Sequence, residues 1–192
     1  MKRVTTIIFG FIMLLSACKQ AQSNDEKERE EKWEKYAEEK VTYWIGREMD
    51  LPADLPIITS DSISHSFNKI YNSPVKMVAF VDGTCGVCIG NLKHWKKFID
   101  YIHQQNAACD FIFYIYCDDM NDFQKNIIQK LGLNITWIYD KDKKFMNSNK
   151  LYDQRFQTAL LDKSNHVIMI GSMMFRKDLE ALYKKTIIEK AK

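Results

Sequence analysis

Cys85 and Cys88 are the residues of this chain with the clearest potential for chemistry, because only Gly86 and Val87 separate them. The apolar run of residues 75–81 before them is long enough for a strand but too short for a helix. After Cys88 the apolar side chains recur at every third or fourth position, as on one face of a helix. A cysteine at the start of a helix meets unpaired N–H groups and the positive end of the helix dipole, which favour a thiolate. The spacing therefore predicts thiol–disulfide chemistry, with Cys85 as the nucleophile and Cys88 buried one turn later as its partner.

A third cysteine, Cys117, follows the strand predicted over residues 110–116. Parallel strands of one sheet end at the same edge, so Cys117 is expected beside the Cys85–Cys88 pair, where sites lie in such sheets. A buried, unreactive thiol is the favoured interpretation; an accessory thiol that attacks a mixed disulfide is the alternative. Cys109, at the other end of the strand, lies about 26 Å from Cys117 in an extended chain and cannot pair with it.

The four histidines show no metal-ligand spacing with the cysteine pair, and no metal site is predicted. His94 follows Cys88 by six residues, which places the two side chains about 240° apart around a helix. The chain also lacks a glycine-rich phosphate loop, and the predicted chemistry needs no organic cofactor.

The first 17 residues are predicted to be a signal peptide. A basic start at Lys2 and Arg3 precedes an apolar run, residues 4–15, that is shorter than the roughly 20 residues of a bilayer span. Cys18 comes directly after the small residues Ser16 and Ala17 and resembles the acylated cysteine of bacterial lipoproteins. An ordinary signal peptide with an incidental cysteine is the alternative. The resemblance implies a lipid anchor in the bacterial cell envelope, on the periplasmic face or the cell surface.

The mature chain is nearly neutral. Without Lys2 and Arg3 the 28 basic residues become 26 against 25 acidic ones, and the formal net charge falls from +3 to +1. Nothing in this balance indicates nucleic acid as a partner. Residues 18–44 are predicted to be a polar tether followed by a charged helix, in which Glu28 and Lys32 have a favourable i,i+4 spacing.

Residues 45–192 are predicted to form one α/β domain. Strand-like runs over residues 55–59 and 67–71 indicate an N-terminal β-hairpin before the strand that carries the cysteine pair. Residues 110–116 are apolar on both faces, which favours a central place in a parallel sheet. The remaining predicted elements are a helix over 120–131, a strand over 135–139, a short helix within 141–151, a hairpin of strands 158–161 and 167–170, and a helix over 177–190.

With the cysteine pair at a strand-to-helix junction, this order of elements resembles the thioredoxin superfamily. The opening hairpin and the insertion after residue 139 are similar to those of its TlpA/ResA-like membrane-anchored lipoproteins. The resemblance covers about residues 45–190. It implies a thioredoxin-like fold, a central mixed sheet flanked by helices, with an N-terminal β-hairpin and a helical extension.

The resemblance also places a substrate-docking edge at Gln157 and Thr158. In the superfamily a cis-proline, often followed by threonine, packs against the disulfide, and a substrate chain docks beside it. Here Gln157 occupies the proline position, and the only prolines are Pro52, Pro56 and Pro74. A cis bond before Gln157 would cost about 3–4 kcal/mol, so a trans peptide is predicted.

A second departure from the superfamily concerns proton transfer. Some of its reductases hold a carboxylate beneath the disulfide, at positions that correspond to Ala79 and Asn91, neither of which is a base. Topology leaves Asp82, Asp118 and Asp119 as nearby carboxylates, and Asp82 is taken as the accessory candidate.

The resemblance implies an envelope thiol–disulfide oxidoreductase that exchanges disulfides with envelope proteins and is recycled by an unidentified electron donor. The alternative is a non-enzymatic binding module with the same fold, in which Cys85–Cys88 is a permanent structural disulfide and the edge at Gln157 binds a partner. A peroxide-reducing enzyme ranks last, because the threonine expected upstream of a peroxidatic cysteine is not evident.

Overall fold

The computed structural model describes residues 26–59, 62–64, 66–67 and 71–191. The proposed signal peptide and Cys18 lie outside these residues. The chain divides into two compact units after Tyr43. A helix over residues 26–44, α1, begins in the first unit and accounts for all of its described residues, 26–43. The predicted i,i+4 pair is present, with 2.7 Å between Lys32 Nζ and Glu28 Oε1. Among the described residues, no helix is both long and apolar enough to cross a membrane.

The second unit is built on one mixed sheet of seven strands, in the order β2-β1-β5-β4-β3-β6-β7. The strands are β1 Ile57–Ile58, β2 Ile63–Ser64, β3 Val75–Asp82, β4 Cys109–Tyr116, β5 Trp137–Tyr139, β6 Thr158–Asp162 and β7 Val167–Ile170. The helices are α2 Gly86–Gln104, α3 Met120–Phe123, α4 Lys144–Ser148 and α5 Lys177–Lys190, with a single 3₁₀ turn at Gln154–Phe156.

Strands β3, β4 and β5 run parallel, and β4 lies in the middle of the sheet, as its apolar sequence predicts. Two crossovers, through α2 and α3, connect them. The main hydrophobic core lies between this sheet and helices α2 and α5. It is formed by side chains that include Met77, Ala79, Val81, Leu92, Trp95, Phe98, Phe113, Tyr183 and Ile187.

The N-terminal hairpin is present, but the prediction of its second strand is wrong. Strand β1 pairs antiparallel with β2 at Ile63–Ser64, inside the segment expected to be a polar loop. Within residues 67–71, the predicted strand, Phe67 is helical and Tyr71 N–H donates to the Phe67 carbonyl at 3.0 Å. Phe67 and Tyr71 both point into the core with their rings 5.0 Å apart. Burial of these two side chains therefore explains the apolar run without a strand.

The helix predicted over residues 120–131 begins as α3 and continues as a π-helix, Gln124–Gln129. The Asp119 carboxylate caps its start by accepting from the N–H groups of Asn121 and Asp122. Gly132, with φ of +60°, follows its end.

Lys76 is the one charged side chain in the apolar run of residues 75–81, and it is 5% exposed. Its Nζ donates to the Lys163 carbonyl at 2.8 Å and to Asn165 Oδ1 at 2.6 Å. Both acceptors belong to the β6–β7 turn, and Asn165 adopts a left-handed φ of +66° there. Lys76 therefore holds the β6–β7 turn of the predicted hairpin in place through these two hydrogen bonds.

Candidate active site

The loop between β3 and α2 is shaped by Asp82, the last residue of β3. Asp82 Oδ1 accepts from Thr84 N–H at 3.0 Å and from Thr84 Oγ1 at 2.7 Å. Cys85 N–H donates to the Asp82 carbonyl at 3.2 Å. Such an Asx-type turn lets a short polar side chain replace main-chain partners. It reverses the chain so that Cys85 arrives at the start of α2.

Gly83 lets this loop lie directly on the end of β4. Its N–H donates to the Tyr116 carbonyl at 2.7 Å. A Cβ at position 83 would lie 2.7 Å from that same carbonyl oxygen and 3.0 Å from Cys117 Cβ. Only glycine fits this contact without displacing the backbone.

Cys85 is the N-cap residue of α2, the position predicted to favour a thiolate. Its Sγ accepts from Cys88 N–H at 3.4 Å, and the first turn of α2 has no acidic residue. Hydrogen bonds from the Cys88 thiol and then from the Cys88 N–H lower the pKa of Cys85, against a smaller opposing effect from the Asp82 charge. The site therefore stabilises a thiolate at Cys85.

Cys88 has the opposite character. It is half-buried rather than fully buried as predicted. Burial, followed by the hydrogen bond to Cys85, raises the pKa of Cys88 to about 12. Both cysteines are free thiols in the structure. One sulfur that favours the thiolate thus lies beside one that keeps its proton.

Lys143 adds a positive charge to this edge of the sheet. Its Nζ lies 3.6 Å from Asp82 Oδ2 and 4.0 Å from the centre of the Tyr116 ring. Desolvation would raise the pKa of Asp82, but hydrogen bonds from Thr84 and the charge of Lys143 outweigh it, and the pKa is lowered. Asp82 is therefore a carboxylate paired with Lys143 at neutral pH, and it shapes the loop.

Gln157 lies at the end of the 3₁₀ turn, next to the cysteine pair. No described peptide bond is cis, in agreement with the trans bond predicted before Gln157. The Gln157 side chain donates from Nε2 to the Leu151 carbonyl at 2.9 Å, so it holds its own loop. Thr158 begins β6, is buried, and pairs with Ala79 of β3.

A groove opens between this turn, the start of α2 and the loop after β7. Cys88 and Asn91 line one side, Gln154 and Gln157 another, and Met174 and Phe175 the third. Tyr183 supports the third side from below, because its buried hydroxyl donates to the Gly171 carbonyl at 2.8 Å. The structure therefore brings Cys88 and Gln157 to one groove, and Cys85 adjoins it through its contact with Cys88.

Cys117 is placed at the cysteine-pair edge, as topology predicted, and its Cβ lies against Gly83. It is 3% exposed, and burial raises its pKa to about 12. These surroundings are those of a buried thiol that keeps its proton. Ala79 is buried beneath the pair and Asn91 lines the groove, so neither position supplies a base.

Sequence reasoning missed Lys143 and Phe175. Lys143 adopts a left-handed φ of +52° before α4, a conformation that no pattern in the sequence predicts, and its side chain lies beside Asp82. Phe175 is 54% exposed in the loop before α5. An aromatic residue outside any predicted helix or strand was the available signal.

No protein-family model matches the chain, and no curated protein matches it either. Solved structures do. A proposed protein disulfide isomerase from Bacteroides thetaiotaomicron superposes with a TM-score of 0.59 at 18% identity, covering 77% of this chain and 89% of that one. The thioredoxin domain of a thiol-disulfide oxidoreductase from Bacteroides vulgatus gives 0.53 at 15% identity, covering 74% and 97%. The chain has a thioredoxin-like fold.

A third structure with this thioredoxin-like fold has a different named activity. Peroxiredoxin Q from Xanthomonas campestris superposes with a TM-score of 0.54 at 13% identity, covering 75% of this chain and 98% of that one. Identities this low establish the fold alone. The choice between exchange, peroxide reduction and simple binding therefore depends on the site residues.

Proposed function

We propose that the chain is a thiol–disulfide oxidoreductase that exchanges disulfides with partner proteins through Cys85 and Cys88. The difference between the two sulfurs carries the proposal. Cys85 caps a helix and has a lowered pKa, whereas burial raises the pKa of half-buried Cys88 to about 12. Exchange needs one sulfur that attacks as a thiolate and a second that waits within reach.

In the reducing direction, Cys85 thiolate attacks one sulfur of a partner disulfide. The partner's disulfide bond breaks, a mixed disulfide forms at Cys85, and the released partner thiolate takes a proton from solvent. Cys88 then loses its proton and attacks Cys85 Sγ, which releases the second partner sulfur as a thiol. The partner gains two electrons, and this chain is left with a Cys85–Cys88 disulfide. In the reverse direction the same pair oxidises a partner dithiol.

Recycling in the reducing direction requires a dithiol donor that restores both cysteines, and no organic cofactor takes part. We place the protein in the bacterial envelope, attached through an acylated Cys18. Envelope compartments are oxidising, so reduction is the step that needs this donor. Cys18→Ser should move the protein from the membrane fraction to the soluble fraction. Membrane attachment that this substitution leaves unchanged would contradict the proposed lipid anchor.

The test is the rate of Cys85 alkylation against pH in a reduced Cys109→Ser, Cys117→Ser protein that retains Cys88. Mass spectrometry after brief iodoacetamide treatment reads Cys85 separately from Cys88. We expect an apparent Cys85 pKa below the value of about 8.5 for a free cysteine. A value at or above it favours the binding module with a permanent disulfide.

Trapping gives the second readout. In Cys88→Ser the mixed disulfide at Cys85 is not resolved, so partner proteins should remain attached and be released by dithiothreitol. The Cys85→Ser, Cys88→Ser protein is the matched control and should trap none. Equal recovery from the two proteins would contradict exchange at Cys85.

A further inference from the structure

The 3₁₀ turn beside the cysteine pair uses its own N–H groups. Arg155 N–H donates to Asp153 Oδ1 at 3.0 Å, and Phe156 N–H donates to the Asp153 carbonyl at 2.9 Å. Gln157 N–H donates to the Gln154 carbonyl at 3.4 Å. A partner chain that approached this turn would find these three donors already bonded.

Three carbonyls of the same stretch, those of Arg155, Gln157 and Thr158, are also engaged within the chain. Their partners are Ser172 N–H to the Arg155 carbonyl at 2.7 Å, Phe80 N–H to the Gln157 carbonyl at 2.9 Å, and Gly171 N–H to the Thr158 carbonyl at 2.9 Å. Residues 171–172 therefore already occupy main-chain hydrogen-bond positions that an added partner strand would need beside the turn. Addition of a strand to a sheet edge needs unpaired main-chain groups, so this turn is poorly suited to it.

Among the residues that the structure describes, only uncharged side chains line the groove next to the turn. Its apolar wall includes Trp95, Met174 and Phe175, and its polar members are amides and hydroxyls such as Gln154. Val87, which lies between the two cysteines, is 74% exposed at the rim, and Phe175 is 54% exposed. The apolar side chains of Val87 and Phe175 are thus exposed to solvent next to the cysteine pair, where the cysteine of a partner protein must approach.

This lining selects by desolvation. A charged side chain that entered the groove would lose water without gaining an opposite charge, which is costly. An apolar side chain would bury its own surface together with that of Val87 and Phe175, which is favourable. The selection acts on both signs of charge alike.

We propose that the groove binds an apolar side chain adjacent to the partner's reacting cysteine, and that this contact, rather than main-chain pairing, decides which proteins exchange with Cys85. The partner is thus a protein whose reactive cysteine lies in an uncharged, apolar segment. The inference rests on the proposed exchange function and adds its substrate class.

The experiment uses symmetrical disulfides of short capped peptides, in which the residue on each side of the cysteine is leucine, serine, glutamate or lysine. The reduced protein converts each to two peptide thiols while the Cys85–Cys88 disulfide forms, and acid-quenched mass spectrometry follows the rate. After correction for the thiol pKa of each peptide, we expect the leucine peptide to react at least about tenfold faster than the glutamate and lysine peptides. Preference for one charged peptide over leucine would overturn the proposal.

Phe175→Ser tests the groove itself. It should slow the leucine peptide about fivefold and leave the serine peptide unchanged, and Phe175→Leu should restore most of the rate. Leu182→Ser, at a side chain that is 48% exposed on α5 and outside the groove, is the matched control and should change neither rate. A leucine-peptide rate that Phe175→Ser leaves intact also overturns the proposal.

Main-chain pairing is tested with a leucine peptide whose residue after the cysteine is N-methylated. Its rate should stay within about twofold of the parent, because pairing with the turn is not used. A tenfold loss would show that pairing is used after all. Equal rates for all four parent peptides overturn this inference alone, whereas no reaction with any of them overturns the proposed function as well.

Discussion

Cys85 and Cys88 are chemically identical side chains three positions apart, yet their surroundings drive their pKa values in opposite directions. Cys85 stands outside the first turn of α2, where N–H groups point at its sulfur. Cys88 lies one turn further on, partly covered by the groove and the core, and desolvation penalises its thiolate. The asymmetry therefore arises from position on a helix and from burial, and it does not depend on a proline between the cysteines or on a base beneath them.

At the residue scale, we predict that Lys143 tunes Cys85 through Asp82. The Asp82 charge raises the pKa of Cys85, and Lys143 Nζ, 3.6 Å away, offsets that charge. Lys143→Gln should therefore raise the Cys85 pKa and slow its alkylation at pH 7 about two- to threefold. Alkylation profiles against pH measure this directly.

The direction of the change in the Cys85 pKa distinguishes an effect of the Lys143 charge from a general loss of local structure. Asp82→Gln, Lys143→Gln should not be slower than Asp82→Gln alone, because the lysine then has no carboxylate to offset. Lys141→Gln, at an exposed lysine two positions away, is the control and should leave the profile unchanged. A Lys143→Gln protein with a lowered Cys85 pKa would contradict the assignment.

At the scale of elements, the β3–α2 loop depends on contact between two backbones. Gly83 lies against the Tyr116 carbonyl at the end of β4. The β3–α2 loop therefore cannot move away from the end of β4 without losing the 2.7 Å hydrogen bond between Gly83 N–H and this carbonyl. The position of this loop relative to the sheet in turn fixes the position of Cys85 at the start of α2. Gly83 thus controls the position of Cys85 through this contact.

We predict opposite outcomes for two glycine-to-alanine changes. Gly83→Ala places Cβ 2.7 Å from a backbone oxygen and should destabilise the protein by more than about 2 kcal/mol while lowering Cys85 reactivity. Gly90→Ala, within α2 and with no atom inside 4 Å of the new Cβ, should stabilise by about 0.5–1 kcal/mol. Urea unfolding measures both. Equal stability of the two variants would refute the contact at Gly83.

Periodicity predicted the elements whose pattern is local. The α5 bounds, the central position of β4 and the β6–β7 hairpin all follow from runs and turn residues near in sequence. The second hairpin strand could not be predicted in the same way, because Phe67 and Tyr71 are buried without pairing as a strand, and β1 pairs with Ile63–Ser64 instead. Lys143 and the covering of the turn by residues 171–172 depend on contacts between segments far apart in sequence.

At the scale of the whole molecule, we predict that the reduced protein loses stability in alkali. Burial raises the pKa of Cys109 from 9.0 to about 12. From pH 9 to 12 the unfolded chain has released this proton while the folded chain keeps it, so the free energy of unfolding falls as pH rises. Below pH 9 the buried Cys109 thiol makes its full contribution to the free energy of unfolding. Above pH 9 this contribution falls by at most about 1.4 kcal/mol per pH unit.

Urea titrations of the fully reduced protein at pH 8, 9 and 10 check this. Cys109→Ala should be less stable than the parent at pH 8, and the difference should narrow by pH 10 because the variant lacks the titrating thiol. Cys85→Ala is the control of opposite sign, since a lowered pKa gives stability that is lost only as pH falls. Parallel curves for Cys109→Ala and the parent would contradict the burial of this thiol.

The uncharged groove beside Cys88 has a consequence for how often a partner arrives. Complementary charges steer two proteins together and speed their association, and a neutral surface gives up that advantage. Association then proceeds at about 10⁵–10⁶ M⁻¹ s⁻¹ and responds little to ionic strength. Such a protein gains most from being confined with its partners, because confinement raises their effective concentration. The lipid anchor proposed at Cys18 would then increase the frequency of encounters that the groove itself does nothing to attract.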